Sequence, residues 1–388
     1  MAFLAIVLGV TLLGGLLRAR GAKLIANDYD EWIYLDASQN YAQYIEKLDI
    51  KNIVYLNENF EHPPLAKLIY ALALVGVPRE TVTYAALMED PSAPPLVENM
   101  QIRARYVSAA LGTLAVLLLS LLNPLAGLFL AVQSTAVQFT SVVYLEALPS
   151  LTSLVAVIAY DRWMKTERDP EGQTRARSPL DMGWLGLSAL GLGLSVASKY
   201  MYAVVGIAIA IHYTGKLLLK QQNRRSYLVW LIAWVALAAV VFFVADPWLW
   251  VKTGARLVKT LSFHFDFSQS ARVEGFGYPP WQPLLWLLTS VPNQPSGAIP
   301  YQPGSFLFQL DLPIALLALA GFPALWKHRN PYAVWLLVGM AFLFVWNTRW
   351  PQYVMIITVP WCLSAAEGML SAGRFIQKVT QKFRLSGA

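Results

Sequence analysis

The stretch "IRARYVSAALGTLAVLLLSLLNPLAGLFLAVQSTAVQFTSVV", residues 102–143, holds two apolar runs, Ile102–Leu122 and Leu125–Val143, and only two charges, Arg103 and Arg105. Each run has the roughly 20 residues that an α-helix needs to cross a bilayer. Outward from it, similar runs occupy Ala2–Leu17, Ala147–Met164, Gly183–Ser198, Tyr200–Leu219, Tyr227–Ala245, Phe306–Trp326, Tyr332–Trp346 and Gln352–Leu370. The chain of 388 residues is 56% hydrophobic and 14% charged, too few charges to coat a soluble domain, where about 25% is usual. The expected class is an all-α polytopic membrane protein with about 10 transmembrane helices, or 11 if one short stretch also spans. The short stretches Leu65–Val77 and Trp281–Leu288 read as interfacial helices.

Basic residues set the sidedness. They cluster at Arg162, Lys165, Arg168, Arg175 and Arg177; at Lys216, Lys220, Arg224 and Arg225; at Lys327 and Arg329; and at Arg374, Lys378, Lys382 and Arg384. Ten spans with both termini inside put all four clusters in the cytoplasm. Arg18, Arg20 and Lys23, after the first run, oppose that assignment. It leaves residues 18–101 as a first external loop and 246–305 as a later one, within a single domain over 1–388 with no separate soluble domain. Glu146 and Lys199 fall at turns on the same outer face. The net charge of +7 then reflects basic loops and membrane lipids rather than nucleic acid. The lone cysteine, Cys362, excludes an intramolecular disulfide.

The first external loop concentrates chemistry. "NDYDEWIYLDASQNY", residues 27–41, carries Asp28, Asp30, Glu31 and Asp36 among aromatic residues. In a helix, Asp30 and Tyr34 share a face. A carboxylate near a low-dielectric boundary becomes a useful base. A solvated acidic loop beside an aromatic belt is the competing reading. Some thirty residues on, "EHPPLAK" brings His62 and Lys67 around two prolines that suit the start of a helix. Arg103, Lys67 and Lys252 read most simply as side chains reaching lipid headgroups.

Asp30, Glu31 and Tyr34, then His62, Pro63, Pro64, Leu65 and Lys67, resemble the GT-C membrane glycosyltransferases. The likeness is to the dolichyl-phosphate-mannose protein mannosyltransferase family (family 39) and the related lipid A aminoarabinose transferases. "RYVSAALG", "SVVYLEALPSL" and "LGLSVASKYMY" extend it with Arg105, Glu146 and Lys199; "FHFDFSQ" and "TRWPQYV" add His264, Arg349 and Tyr353. The resemblance implies a GT-C fold and inverting transfer of a glycosyl, first of all mannosyl, residue from a polyprenyl- or dolichyl-phosphate donor to an acceptor hydroxyl. It implies Asp30 and Glu31 as catalytic, Arg105, Lys199 and Arg349 as donor-phosphate ligands, and Tyr34, His62 and Lys67 as support. Asp30 with Glu146 has the ligand types for Mg²⁺ or Mn²⁺, admitted but not required. The acceptor stays open among protein Ser/Thr, lipid-linked glycan and glycolipid. Only about 60 residues fill the later loop, and that brevity with the missing disulfides points to a prokaryotic cell membrane with the site outside. A secondary transporter or flippase of lipid-linked sugars is the alternative, although such proteins favour internal repeats and midmembrane ionisable groups.

Overall fold

The computed structural model describes residues 1–25, 29–57, 59–79, 99–166, 178–219, 224–288 and 304–386. Asp28, Arg168, Arg175, Arg177 and Lys220 lie outside the described residues, as do the side chains of Lys382 and Arg384. Every regular element among the described residues is helical, which satisfies backbone polar groups without water. In chain order they are α1 (Ala2–Leu24), α2 (Tyr29–Glu46), α3 (Ile50–Tyr55), α4 (Leu65–Leu74), α5 (Asn99–Leu122), α6 (Pro124–Val132), α7 (Ser134–Phe139), α8 (Ala147–Lys165) and α9 (Pro179–Ser198). Then come α10 (Ala203–Leu219), α11 (Arg224–Ala245), α12 (Thr253–Ser268), α13 (Ala271–Phe276), α14 (Gln282–Leu288), α15 (Gly304–His328), α16 (Asn330–Val345) and α17 (Met355–Ser386).

Seven of the ten expected spans appear as helices long and apolar enough to cross a membrane. The other three depart in instructive ways. Ala147–Lys165 has the length, about 28 Å at 1.5 Å per residue, but is more polar. It can be, because it is enclosed: its Ser153 bonds Ser195 at 2.7 Å and its Ser150 bonds Tyr202 at 3.0 Å. Asn330–Val345 is one helix of 16 residues. Leu125–Val143, expected as one span, is broken at Gln133 into α6 and α7. Asp311 of α15 accepts from the backbone N–H and hydroxyl of Ser134, so the second helix starts on a buried carboxylate.

Lipid-facing surfaces follow from the same apolar bias. On α11, Val229, Ile232, Val240 and Val244 are all exposed, the reverse of a soluble helix. The core lies where α5, α6, α8 and the first half of α17 meet; Val354–Leu363 is buried without interruption. Helix α15 lies along α17 at close range, and a methyl group added to Gly321 or Gly368 would strike the facing backbone at Ser364 or Leu317. Small residues let helix backbones approach this way in membranes.

The expected conflict at Arg18 has a structural resolution. The first helix does not end at Leu17 but continues to Leu24. Arg18 is 1% exposed, and its guanidinium donates to Thr140 Oγ1 (2.8 Å), to the Leu130 and Ala131 carbonyls (3.1 and 3.4 Å) and to Gly14 (3.2 Å). It therefore closes the open carbonyl end of α6 and bears on no headgroup.

The helices share one polarity of charge. The described basic residues Arg162, Lys165, Lys216, Arg224, Arg225, Lys327 and Arg329 sit at one set of helix ends. Glu146, Lys199, Asp246 and Tyr353 sit at the opposite ends of the same helices. The two segments α2–α4 and α12–α14 cover that second end.

Candidate active site

A cavity of about 260 Å³ opens at the end of the bundle that carries Glu146 and Lys199. Its wall is assembled from α2, the His-Pro-Pro turn, α12, α13 and the segment leading into α17. Helix α2 starts at Tyr29, so both acids of its first turn suit the partial positive charge at a helix N-terminus. Successive helical residues diverge by about 100°, and that separates the pair. Asp30 lines the cavity, with Tyr34 one turn further along. Glu31 points into the bundle and is fully buried.

Glu31 and Arg105 are consequently each other's partner. Arg105 Nε donates to Oε1 at 2.7 Å and Nη2 to Oε2 at 2.5 Å, while Nη1 donates to the Ala22 and Ile25 carbonyls at 3.0 and 2.8 Å. The Val143 N–H also donates to Glu31, at 2.9 Å. Neither side chain lines the cavity. The two form one bidentate clamp joining α2, α5 and the end of α1.

Lys199 does reach the cavity. It caps α9 in an extended conformation just before a short 3₁₀ turn, Tyr200–Tyr202, which directs its side chain across to Glu146 at the start of α8. Its Nζ donates to Glu146 Oε1 and lies 5.0 Å from the centre of the Tyr353 ring. Burial raises the Glu146 carboxyl above its ordinary value, and the Lys199 charge opposes that rise. Glu146 Oε2 has no hydrogen-bond partner among the described residues. The cation that faces Glu146 in this structure is the Lys199 ammonium. Among the described residues no three His, Cys, Asp or Glu side chains converge as metal ligands.

The first-loop motif acts as a brace. Lys67, expected at the headgroups, is fully buried on α4 and donates to Asn57 Oδ1 (2.7 Å), the Asn59 carbonyl (2.7 Å) and the His62 carbonyl (3.0 Å). All three ammonium protons hold the turn that carries His62. The His62 ring then stands 5.8 Å from Tyr34 and 5.6 Å from His264, centre to centre. Burial, with Lys199, His264 and Lys67 nearby, holds the His62 imidazole well below its ordinary 6.5, so it faces the cavity uncharged. Burial lowers His264 too, and its Nε2–H donates to the Glu61 carbonyl at 2.7 Å. Burial and then the Asp30 charge raise the Tyr34 phenol.

One face of α12 binds the loop by three donors spaced four residues apart. Arg256 bonds the Val54 carbonyl at 2.8 Å, Thr260 that of Phe60 at 3.0 Å, and His264 that of Glu61. This ladder sets the distance between the α2–α4 and α12–α14 segments and so the width of the cavity.

Sequence reasoning missed Gln352, which donates to Asp30 at 3.4 Å, and Arg272, an exposed cation on the cavity wall. The Arg272 signal, a basic residue amid the aromatic residues of the later loop, was present but unspecific. Arg349 lies elsewhere: it borders a neighbouring cavity of about 190 Å³ and donates to the Tyr278 and Asn347 carbonyls at 3.1 and 3.3 Å.

No protein-family model matches this chain, and no curated protein matches it either. Among solved structures, ArnT from Cupriavidus metallidurans is similar in two states. Bound to undecaprenyl phosphate it is 16% identical, covers 95% of this chain and 59% of its own, and has a TM-score of 0.57. In the apo state the identity is 14%, with the same coverage and a TM-score of 0.58. The protein O-mannosyltransferase Pmt1-Pmt2 complex of S. cerevisiae, bound to the sugar donor, matches 63% of this chain and 33% of its own at 17% identity and a TM-score of 0.44. The chain therefore spans 59% of the length of ArnT. At this identity the likeness shows the fold alone: this chain has the fold of ArnT, an all-helical polytopic one.

Proposed function

We propose that this protein transfers a glycosyl residue, mannose in the first instance, from a polyprenyl- or dolichyl-type monophosphate carrier to an acceptor hydroxyl. The site opens on the extracytoplasmic face of a prokaryotic cell membrane, opposite the basic helix ends. One observation carries this reading: a single cavity holds the Asp30 carboxylate on one wall and the Lys199 ammonium on another, with the exposed Arg272 at its rim. The ArnT structure of the same fold contains undecaprenyl phosphate, a carrier of this class.

In the reaction the C1–O bond to the phosphate breaks and its electron pair leaves with the polyprenyl phosphate. The acceptor oxygen forms the new bond to C1 from the opposite face, and its proton passes to Asp30. Gln352 holds the Asp30 carboxylate in place. Lys199 and Arg272 stabilise the charge that gathers on the departing phosphate, where preorganised cations lower the barrier most. On this reading Arg105 and Arg349 stand outside the phosphate site, because neither lines its cavity. The uncharged His62 and Tyr34 contribute hydrogen-bonding surface to the sugar without adding a competing charge.

Reconstitution in vesicles with radiolabelled undecaprenyl-phosphoryl mannose and a crude membrane extract as acceptor source tests the proposal. Asp30→Asn should retain the carrier and lower the transfer rate about 10²–10⁴-fold, the usual worth of a positioned base. Unaltered turnover in that variant removes Asp30 from the mechanism. Label that crosses the vesicle wall still attached to its carrier, with no transfer product, indicates a flippase.

A further inference from the structure

The neighbouring cavity has a chemistry of its own. It meets the first at Phe276 and Trp350, whose rings pack edge to face at 4.7 Å and belong to both linings. Phe276 also stacks on Tyr278, at 5.5 Å and 25°, and Gly277 between them takes a left-handed φ of 58° that brings the two rings into register. Around this aromatic wall stand Gln269, Glu274, Asn347 and Arg349. The Arg349 guanidinium is fixed by its two carbonyl bonds, and its buried Nε has no partner among the described residues.

A pyranose ring presents one face of C–H bonds and a rim of hydroxyls that both donate and accept. Aromatic faces cover the former; a carboxylate, a guanidinium and two primary amides serve the latter. A peptide acceptor asks for different partners, such as an unpaired strand edge or a groove sized for a helix. Among the described residues there is no strand, and this cavity is closed by an aromatic wall and polar side chains.

We infer that the second cavity is the acceptor subsite and that it takes a saccharide, so the attacking hydroxyl belongs to a sugar ring of a glycan or glycolipid. This inference rests on the glycosyl-transfer reading above. The shared Phe276–Trp350 pair marks where the acceptor passes towards Asp30, and Arg349 acts on the acceptor rather than on the donor phosphate.

The test is saturation-transfer NMR on the full chain in a detergent without sugar headgroups. Methyl α-D-mannopyranoside, methyl β-D-glucopyranoside and the peptide N-acetyl-Ala-Thr-Ala-amide serve as probes. At least one glycoside should receive saturation at its ring protons and the peptide none, with the glycoside signal falling at least fivefold in both Glu274→Gln and Asn347→Ala. Both positions are exposed, and a matching unfolding temperature establishes that each variant is folded. A peptide signal without a glycoside signal overturns the inference, as does a glycoside signal that survives both substitutions. The two readings fail separately. Glycoside binding without any transfer from polyprenyl-phosphate sugars overturns the transferase; transfer without glycoside binding overturns the subsite.

Discussion

Removing the Glu31 carboxylate separates an anchoring role from a catalytic one. In Glu31→Ala the Arg105 guanidinium stays fully buried, keeps its bonds to the Ala22 and Ile25 carbonyls, and loses both bonds to its counter-ion. The Val143 N–H loses its acceptor as well. Breaking a buried ion pair by deleting one member costs about 3–5 kcal/mol, because the survivor is stranded. At roughly 2 °C per kcal/mol, the lower end for larger domains, the unfolding temperature should fall by about 6–10 °C. Cys362, fully buried in the core and the only cysteine, makes a thiol-reactive dye a direct reporter of unfolding. The double variant Glu31→Leu with Arg105→Met should recover part of the loss, since no charge remains unpaired. If Glu31→Ala unfolds at the wild-type temperature while transfer collapses, Glu31 is an active-site acid and the clamp argument is wrong.

Three further outcomes follow from the same geometry. Lys67→Met removes three hydrogen bonds from the turn and leaves Asn57 Oδ1 without that donor, at about 1–3 kcal/mol; limited proteolysis should cut more rapidly within residues 57–64, and wild-type protection there refutes the brace. Burial pushes the Asp246 carboxyl from 3.8 up to about 7, so the folded protein holds a proton that the unfolded chain has lost over that interval. Its contribution to stability is complete below pH 4 and disappears as pH rises through 7. Asp246→Asn, whose side-chain oxygen still accepts from Tyr200, should flatten the fall in unfolding temperature between pH 5 and 8; an unchanged slope assigns that fall to other groups. Gly368→Val places branched carbons against the Leu317 carbonyl where α15 and α17 touch; a large loss of folded protein after detergent extraction is expected, and a wild-type yield argues against close backbone contact.

What could be read locally was read well. Long apolar runs required helices, because a chain in hydrocarbon must satisfy its own backbone, and the runs around residues 102–122 and 224–245 are helices as expected. The four-residue spacing of Asp30 and Tyr34 put them on one face, and both line the cavity. Alternating spans carried Glu146 and Lys199 to the same end, where they meet.

The pairings themselves were decided only by tertiary structure. The resemblance and its place at the end of an apolar run assign Arg105 to a phosphate; its carboxylate partner lies 74 residues away. Arg18 opposed the assigned sidedness, and only the break after α6 supplied the carbonyls that bury it. Glu31 and Asp30 are neighbours in sequence, yet a turn of about 100° buries one and opens the other to the cavity. Sequence by itself determined that the chain is built from long apolar helices and which of their ends gather acids and cations, since hydropathy and helical period are local. Which charge neutralises which, and which is left for chemistry, depended on the packing of distant helices, because the cost of burying a charge is set by every group that surrounds it.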